Sequence, residues 1–161
     1  MSNSLFEKLR ELTGEWEGTG HAQYPNIDPV DYREETVFSV NSNDSFIHYE
    51  QRTWITAPEE RRDAPIFWES GFILNKGEGN IELVSAQQSG RVEILTGTLK
   101  EKDAFLLLDL ESKSIINDDQ LIRSGRKFSV SEDSIKYELE MSTRKNPSYL
   151  IHLSGDLARS K

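Results

Sequence analysis

The sequence predicts an all-β fold, an up-and-down antiparallel barrel of about ten strands with a short helix at its start and a cavity inside. Three observations carry this. Side chains alternate between apolar and polar from Glu15 onward, with no convincing return to helical spacing. Turn-forming residues recur about every ten positions, the rhythm of strands joined by hairpins. In Gly14-Glu15-Trp16-Glu17-Gly18-Thr19-Gly20, Gly14, Trp16, Gly18 and Gly20 share one face of a strand, leaving a single large anchor on bare backbone. Close approach of a ligand or of another backbone would use such a face. A first strand that bends to close a barrel, with Trp16 plugging its end, explains it more simply.

The helix comes first. Ser4-Leu5-Phe6-Glu7 has the form of a capping box, Leu5, Leu9 and Leu12 fall on one stripe, and Gly14 stops the helix. Such a short amphipathic segment is a lid or plug. The first strand, from Glu15 to Tyr24, ends at Pro25-Asn26-Ile27-Asp28-Pro29, where two prolines forbid continuation of the ladder. Strands over Arg33 to Val40 and Phe46 to Ile55 flank the polar loop 41–45. Ala57 to Pro65 reads as a charged surface excursion, to which no chemistry is assigned.

Ile66 to Leu74, Ile81 to Gln87 and Arg91 to Leu99 follow as strands, separated by Lys76-Gly77-Glu78-Gly79-Asn80 and Ser89-Gly90. Ala104 to Leu110 is continuously apolar, which predicts burial on both faces, under the N-terminal helix. Leu121 to Val130 and Ser134 to Met141 form a hairpin through Ser131-Glu132-Asp133. In its second strand, Ile135, Tyr137, Leu139 and Met141 alternate with Lys136, Glu138 and Glu140. The last strand spans about Tyr149 to Ala158.

Composition narrows the chemistry. The chain has 161 residues, expected as a single domain over 1–161, with 28 acidic and 19 basic residues and a net charge of −9. That balance repels nucleic-acid backbones and anionic membranes, so neither is an expected partner. Cysteine is absent, which excludes disulfides and thiolate sites. No apolar run approaches membrane-spanning length and Met1 to Arg10 lacks the pattern of a secretion signal, so the expected location is cytoplasmic.

The three histidines, His21, His48 and His152, have no metal-chelating spacing. Phosphate-binding glycine loops, nucleophile elbows and HExxH are missing as well. Ser70 has no histidine near it in sequence, and the adjacent carboxylates of Glu34-Glu35 and of Glu59-Glu60 point to opposite sides of an extended chain. His152 stands out, flanked by Tyr149, Leu150, Ile151 and Leu153, since an imidazole among apolar walls suits an axial ligand to heme. Strict alternation nevertheless sends it outward, opposite Ile151, Leu153 and Leu157, unless the strand bulges near Gly155. The residues alone therefore favour a satisfied or exposed histidine, in a barrel with a small-ligand site.

The chain resembles the nitrobindin family, heme-binding ten-stranded barrels related in shape to lipocalins and fatty-acid-binding proteins. Gly14 to Gly20 fits the family's GxWxGxG pattern, followed by Tyr24-Pro25-Asn26-Ile27 and Tyr32-Arg33-Glu34-Glu35. Glu69-Ser70-Gly71-Phe72, Glu82-Leu83-Val84, Met141-Ser142-Thr143 and His152-Leu153 resemble its later strands. The resemblance implies ferric heme b with His152 as the proximal iron ligand, binding of nitric oxide as a small diatomic ligand, and isomerisation of the oxidant peroxynitrite to nitrate. It also implies that Asn26, Ile66, Phe67, Gln87 and Met141 line the heme pocket, and it is compatible with a homodimer.

Departures from the family sharpen these expectations. Asn26 replaces a heme-contacting threonine, Phe67 replaces a pocket histidine and so dries the distal side, and one extra residue lies between Pro147 and His152, assigned here to the loop. The alternatives are a heme-free carrier of a fatty acid or other apolar molecule, which an inward Arg126 or Arg123 would support, and an interaction barrel with a packed interior.

Overall fold

The computed structural model describes residues 4–25, 28–41 and 45–160. A helix α1 (Ser4–Leu9) runs into a 3-10 turn over Arg10–Leu12. The buried stripe is Phe6, Leu9 and Leu12, with Leu5 only half-buried, so the helix is rotated slightly from the leucine stripe read in the sequence. The Ser4 side chain of the expected capping box lies outside the described set.

Ten strands follow: β1 (Gly14–Ala22), β2 (Val30–Ser39), β3 (Phe46–Ala57), β4 (Pro65–Gly77), β5 (Asn80–Gln87), β6 (Val92–Lys102), β7 (Phe105–Ile116), β8 (Leu121–Val130), β9 (Ser134–Thr143) and β10 (Leu150–Arg159). Each pairs antiparallel with the next, and β10 closes on β1. Up-and-down order gathers alternate loops at opposite ends. The helix closes one end, where Lys8 meets Glu101 at 2.8 Å and Arg159 donates to the carbonyls of Glu11 and Thr13 at 2.8 Å each. Trp16 anchors this end, buried, with its indole N–H donating to the Leu12 carbonyl at 2.8 Å. The β1–β2, β3–β4, β5–β6, β7–β8 and β9–β10 loops lie at the other, open end.

The glycine face answers to packing inside the wall. A Cβ on Gly20 would fall 2.2 Å from the Tyr32 ring, and one on its cross-strand partner Gly155 would fall 2.6 Å from the Tyr137 ring. At Gly18 the obstacle is the Asp156 carbonyl, 1.9 Å away. Two tyrosines therefore lie flat against the seam where β1 and β10 close the barrel.

The strand expected over Ala104–Leu110 differs from its reading. β7 runs on to Ile116, and it alternates, with Leu106, Leu108 and Leu110 buried, Asp109 exposed and Phe105 41 % exposed. The helix caps the end of the barrel and does not lie along its wall, so among the described residues no element covers the outer face of β7. The charged excursion is as expected, an exposed turn in which Arg62 meets Glu59 at 2.9 Å.

The interior is filled, leaving a space of about 40 Å³ rather than a roomy cavity. Near the helix it is apolar; at mid-height, polar side chains cross it. Glu34 accepts from Thr36 at 2.7 Å, Gln51 at 3.0 Å and Tyr137, while Tyr32 and Tyr137 share a 2.6 Å hydroxyl contact. Arg126 pairs with Glu69 at 2.5 Å and reaches Glu93 at 3.5 Å; Tyr49 donates to Glu69 and Ser124 to Glu93. Burial opposes the Arg126 charge, but Glu69, Tyr49 and Glu93 outweigh it and hold the guanidinium firmly protonated. Among the described residues Glu34 faces no cation, and burial pushes its carboxyl above the usual range despite three donors.

Candidate functional site

The open end is organised by an irregularity in β10. Leu150 pairs with Met141 and Ile151 with Glu140, but Leu153, not His152, takes the next place opposite Leu139. His152 is thus the extra residue of a β-bulge, which re-aims a side chain without disturbing the strand beyond it. Ile151 stays 47 % exposed while His152 and Leu153, adjacent in sequence, are both 3 % exposed. The outward histidine of strict alternation is corrected by this bulge, which lies at 151–153 and not near Gly155. The Gln23 N–H donates to the His152 carbonyl at 2.7 Å, tying the exit of β1 to the bulge.

Tyr24 meets the His152 ring edge-on, with centroids 5.2 Å apart. Together with Pro25, Pro29, Tyr149, Leu150 and Ile151 it frames a groove of about 640 Å³. Leu150 and Ile151 present apolar surface to solvent. Both nitrogens of His152 are buried and meet no hydrogen-bond partner among the described residues. Burial also lowers the imidazole pKa, so the ring is neutral near pH 7 and keeps a lone pair for coordination. An unsatisfied buried donor or acceptor costs about 1–3 kcal/mol, which a metal bond would offset. No group of three metal-binding side chains converges among the described residues. A single imidazole beside apolar walls suits an iron whose other ligands come from a macrocycle, so the residues present fit heme.

The other expected pocket residues divide. Phe67, Gln87 and Met141 occupy the last inward positions of their strands at the open end, half-buried, half-buried and buried respectively. Gln87 is pinned, donating to Glu93 at 2.6 Å and to Ser85 at 3.2 Å. Ile66 lies off that inward phase, half-buried against the core. None of these four lines the groove beside His152. Asn26 lies outside the described residues.

The remaining histidines stay apart from the site. His21 pairs with Asp31 at 2.8 Å on the surface. His48 Nε2 comes within 3.2 Å of Ser70 Oγ on the outer wall, a partner that sequence separation hid. Arg91, just before β6, is an ion-paired residue near the open end that the sequence reading did not single out. It reaches Asp118 at 3.1 Å and Glu93 at 3.2 Å, and its charge is felt at the Tyr24 phenol. Its inward phase, two residues before Glu93, was the available signal. Arg126 does point inward, but Glu69 and Glu93 already satisfy it, so it offers no free anchor to a fatty-acid carboxylate; Arg123 stays outside, 4.0 Å above the Tyr149 ring.

Residues 6–159 match the model of the THAP4-like, heme-binding β-barrel domain. The chain belongs to this family. It is the nitrobindin family that the glycine motif pointed to. A protein named peroxynitrite isomerase from Nocardia farcinica is 35 % identical over 154 residues, covering 94 % of this chain and 88 % of its own. Another, from Arabidopsis thaliana and named peroxynitrite isomerase Rv2717c, is 34 % identical, covering 86 % and 80 %. The crystal structure of Rv2717c from M. tuberculosis superposes with a TM-score of 0.87 at 29 % identity, covering 98 % of each chain. Nitrobindin-family barrels are heme proteins, and the open end of this one carries an imidazole suited to that cofactor.

Proposed function

We propose that this nitrobindin-family barrel holds ferric heme b at its open end through His152 and isomerises peroxynitrite to nitrate there, with nitric oxide as a second, reversible ligand. The observation that carries the reading is the buried His152 imidazole, unpartnered among the described residues and set by a bulge at a mostly apolar groove whose polar lining is Gln23 and Glu140. Bound heme would supply an iron at which a small oxidant can rearrange. The chain supplies the rest. His152 provides a neutral nitrogen, Tyr24 fixes its ring from the edge, and Leu150 and Ile151 give the apolar surface on which a flat macrocycle loses water. Isomerisation adds no water and transfers no net electron, so the reaction needs no hydrolytic base. Phe67, in place of a histidine, keeps the inward approach apolar. The proposed setting is the cytoplasm, and the proposed domain is the whole of 1–161.

Titration with ferric heme, followed by absorbance, tests this. Wild-type protein is expected to bind one equivalent, and His152→Ala to lose the saturable Soret change while its circular dichroism is unaltered. Equal binding by both proteins would remove His152 from the site. The fatty-acid carrier is disfavoured by the filled interior and the neutralised Arg126.

A further inference from the structure

Three of the five tyrosines form a file from the open end into the barrel. Tyr24 stands edge-on to His152 at 5.2 Å and packs, half-buried, against the core cluster that contains Tyr32. Tyr32 and Tyr137 share a 2.6 Å hydroxyl contact, and Tyr137 donates to Glu34. A phenol has one proton. With the Tyr137 proton committed to Glu34, its oxygen can only accept, so Tyr32 donates to Tyr137. The longer 3.3 Å contact from Tyr32 to the Ser154 carbonyl is secondary, and it returns the file to β10 two residues from His152. Every hydroxyl proton in the Tyr32–Tyr137 pair therefore points toward Glu34.

We propose that Tyr24, Tyr32 and Tyr137 form a relay that draws a one-electron oxidising equivalent from the His152 site into the barrel, with Glu34 accepting the phenolic proton. This rests on the heme reading of the site. The oxidant is nitrogen dioxide, which homolysis of the O–O bond of peroxynitrous acid yields together with hydroxyl radical when the two fragments escape before recombining to nitrate. One electron passes from Tyr137, by way of Tyr32 and Tyr24, to nitrogen dioxide, which becomes nitrite. The phenolic O–H breaks and its proton moves along the existing hydrogen bond to the Glu34 carboxylate, which becomes a carboxylic acid. What remains is a neutral tyrosyl radical, and charge and atoms balance. A buried phenol cannot lose an electron cheaply unless its proton has somewhere to go, and Glu34 is placed to take it. The rings are also held: Gly20 and Gly155 leave room for Tyr32 and Tyr137 and for nothing larger than hydrogen of their own.

The chain contains its own controls. Tyr149 frames the same groove but stands outside the file, stacked under Arg123, and Tyr49 is buried but bonded to Glu69 instead. The experiment exposes heme-loaded protein, its occupancy read first from the Soret band, to peroxynitrite. Freeze-quenched samples are examined by electron paramagnetic resonance, and tyrosine nitration is mapped by mass spectrometry. The expected result is a tyrosyl radical with nitration at Tyr24, Tyr32 and Tyr137 above that at Tyr49. Tyr32→Phe keeps the ring against Gly20 and should drop Tyr137 nitration to the Tyr49 level while Tyr24 remains modified. Glu34→Gln, which removes the proton acceptor, should lower the radical yield. Modification confined to Tyr149 at full occupancy, or Tyr137 nitration indifferent to Tyr32→Phe, overturns the relay and leaves the heme reading standing. Failure to take up heme overturns both.

Discussion

The mid-barrel interior and the His152 groove treat buried polar groups in opposite ways. Inside, Arg126, Glu69, Glu93 and Glu34 all have partners, drawn from strands far apart in sequence. At the groove, an imidazole buried almost as deeply, at 3 % exposure, has none among the described residues. Buried polar atoms are paired in most folded proteins, and the exceptions ask for a cause. The interior is therefore a finished structure whose polar groups serve stability, order or the tyrosine file, whereas the groove is complete only with something bound.

The contrast breaks most severely from the inside. Glu69→Ala would leave the Arg126 charge in the barrel with only the longer 3.5 Å contact to Glu93, a loss of up to about 3–5 kcal/mol by analogy with broken buried pairs. Against a total stability of about 5–15 kcal/mol, urea denaturation should show a sharply lowered midpoint or no folded baseline. A change within 1 kcal/mol would mean that water reaches the pair.

At the groove the sign reverses. His152→Leu removes an unsatisfied polar group and should stabilise the heme-free protein by about 1–3 kcal/mol while abolishing heme uptake. Thermal melts without and with heme give both numbers. A destabilised variant would show that the imidazole has a partner in solution and that the groove is not waiting for a ligand.

Much of this contrast was legible in the sequence, though not its meaning. The β2 face holding Val30, Tyr32, Glu34, Thr36 and Phe38 places two polar residues among apolar ones; adjacency put Glu34 and Glu35 on opposite sides, and the structure shows Glu34 to be the inward one. Nothing local could show that Tyr137, more than a hundred positions later, would be its donor, because barrel closure brings those strands together. Strand existence was equally plain, since hairpins are local and their turns are written in Gly, Asn, Asp and Ser. The bulge was the opposite case. Alternation gave the wrong face for His152, and only the register against β9 corrected it. On β7 a run of leucines masked ordinary alternation, because apolar residues at the Phe105 and Leu107 positions carry no label for the uncovered face.

Acid offers a graded version of the same comparison. Burial depresses the His152 pKa below its ordinary 6.5. Above that value the imidazole is neutral in both folded and unfolded chains and pH has no leverage through it. As pH falls below it, the unfolded chain gains a proton that the folded one resists, so stability declines until the folded value is passed. Protonation also removes the lone pair, and heme affinity should fall over the same acid range. His152→Leu should flatten the stability profile there. A profile unchanged by the substitution would assign the acid loss to other groups.

The smallest expected effect concerns Phe67. It shares the inward face of Glu69, Gly71 and Ile73 at the open end, yet it does not touch the groove beside His152. If the bound macrocycle extends across the mouth, Phe67 meets its far side. Phe67→His would then place a second imidazole there and shift the absorbance and resonance Raman spectra of the loaded protein, with stability changed by less than about 1.5 kcal/mol for a near-isosteric, half-buried exchange. A spectrum identical to wild type at full occupancy would confine the ligand to the Tyr24 side. Gln87 and Met141, on the same inward faces, would then also be barrel lining alone, and the site would be a rim built by β10 and the exit of β1.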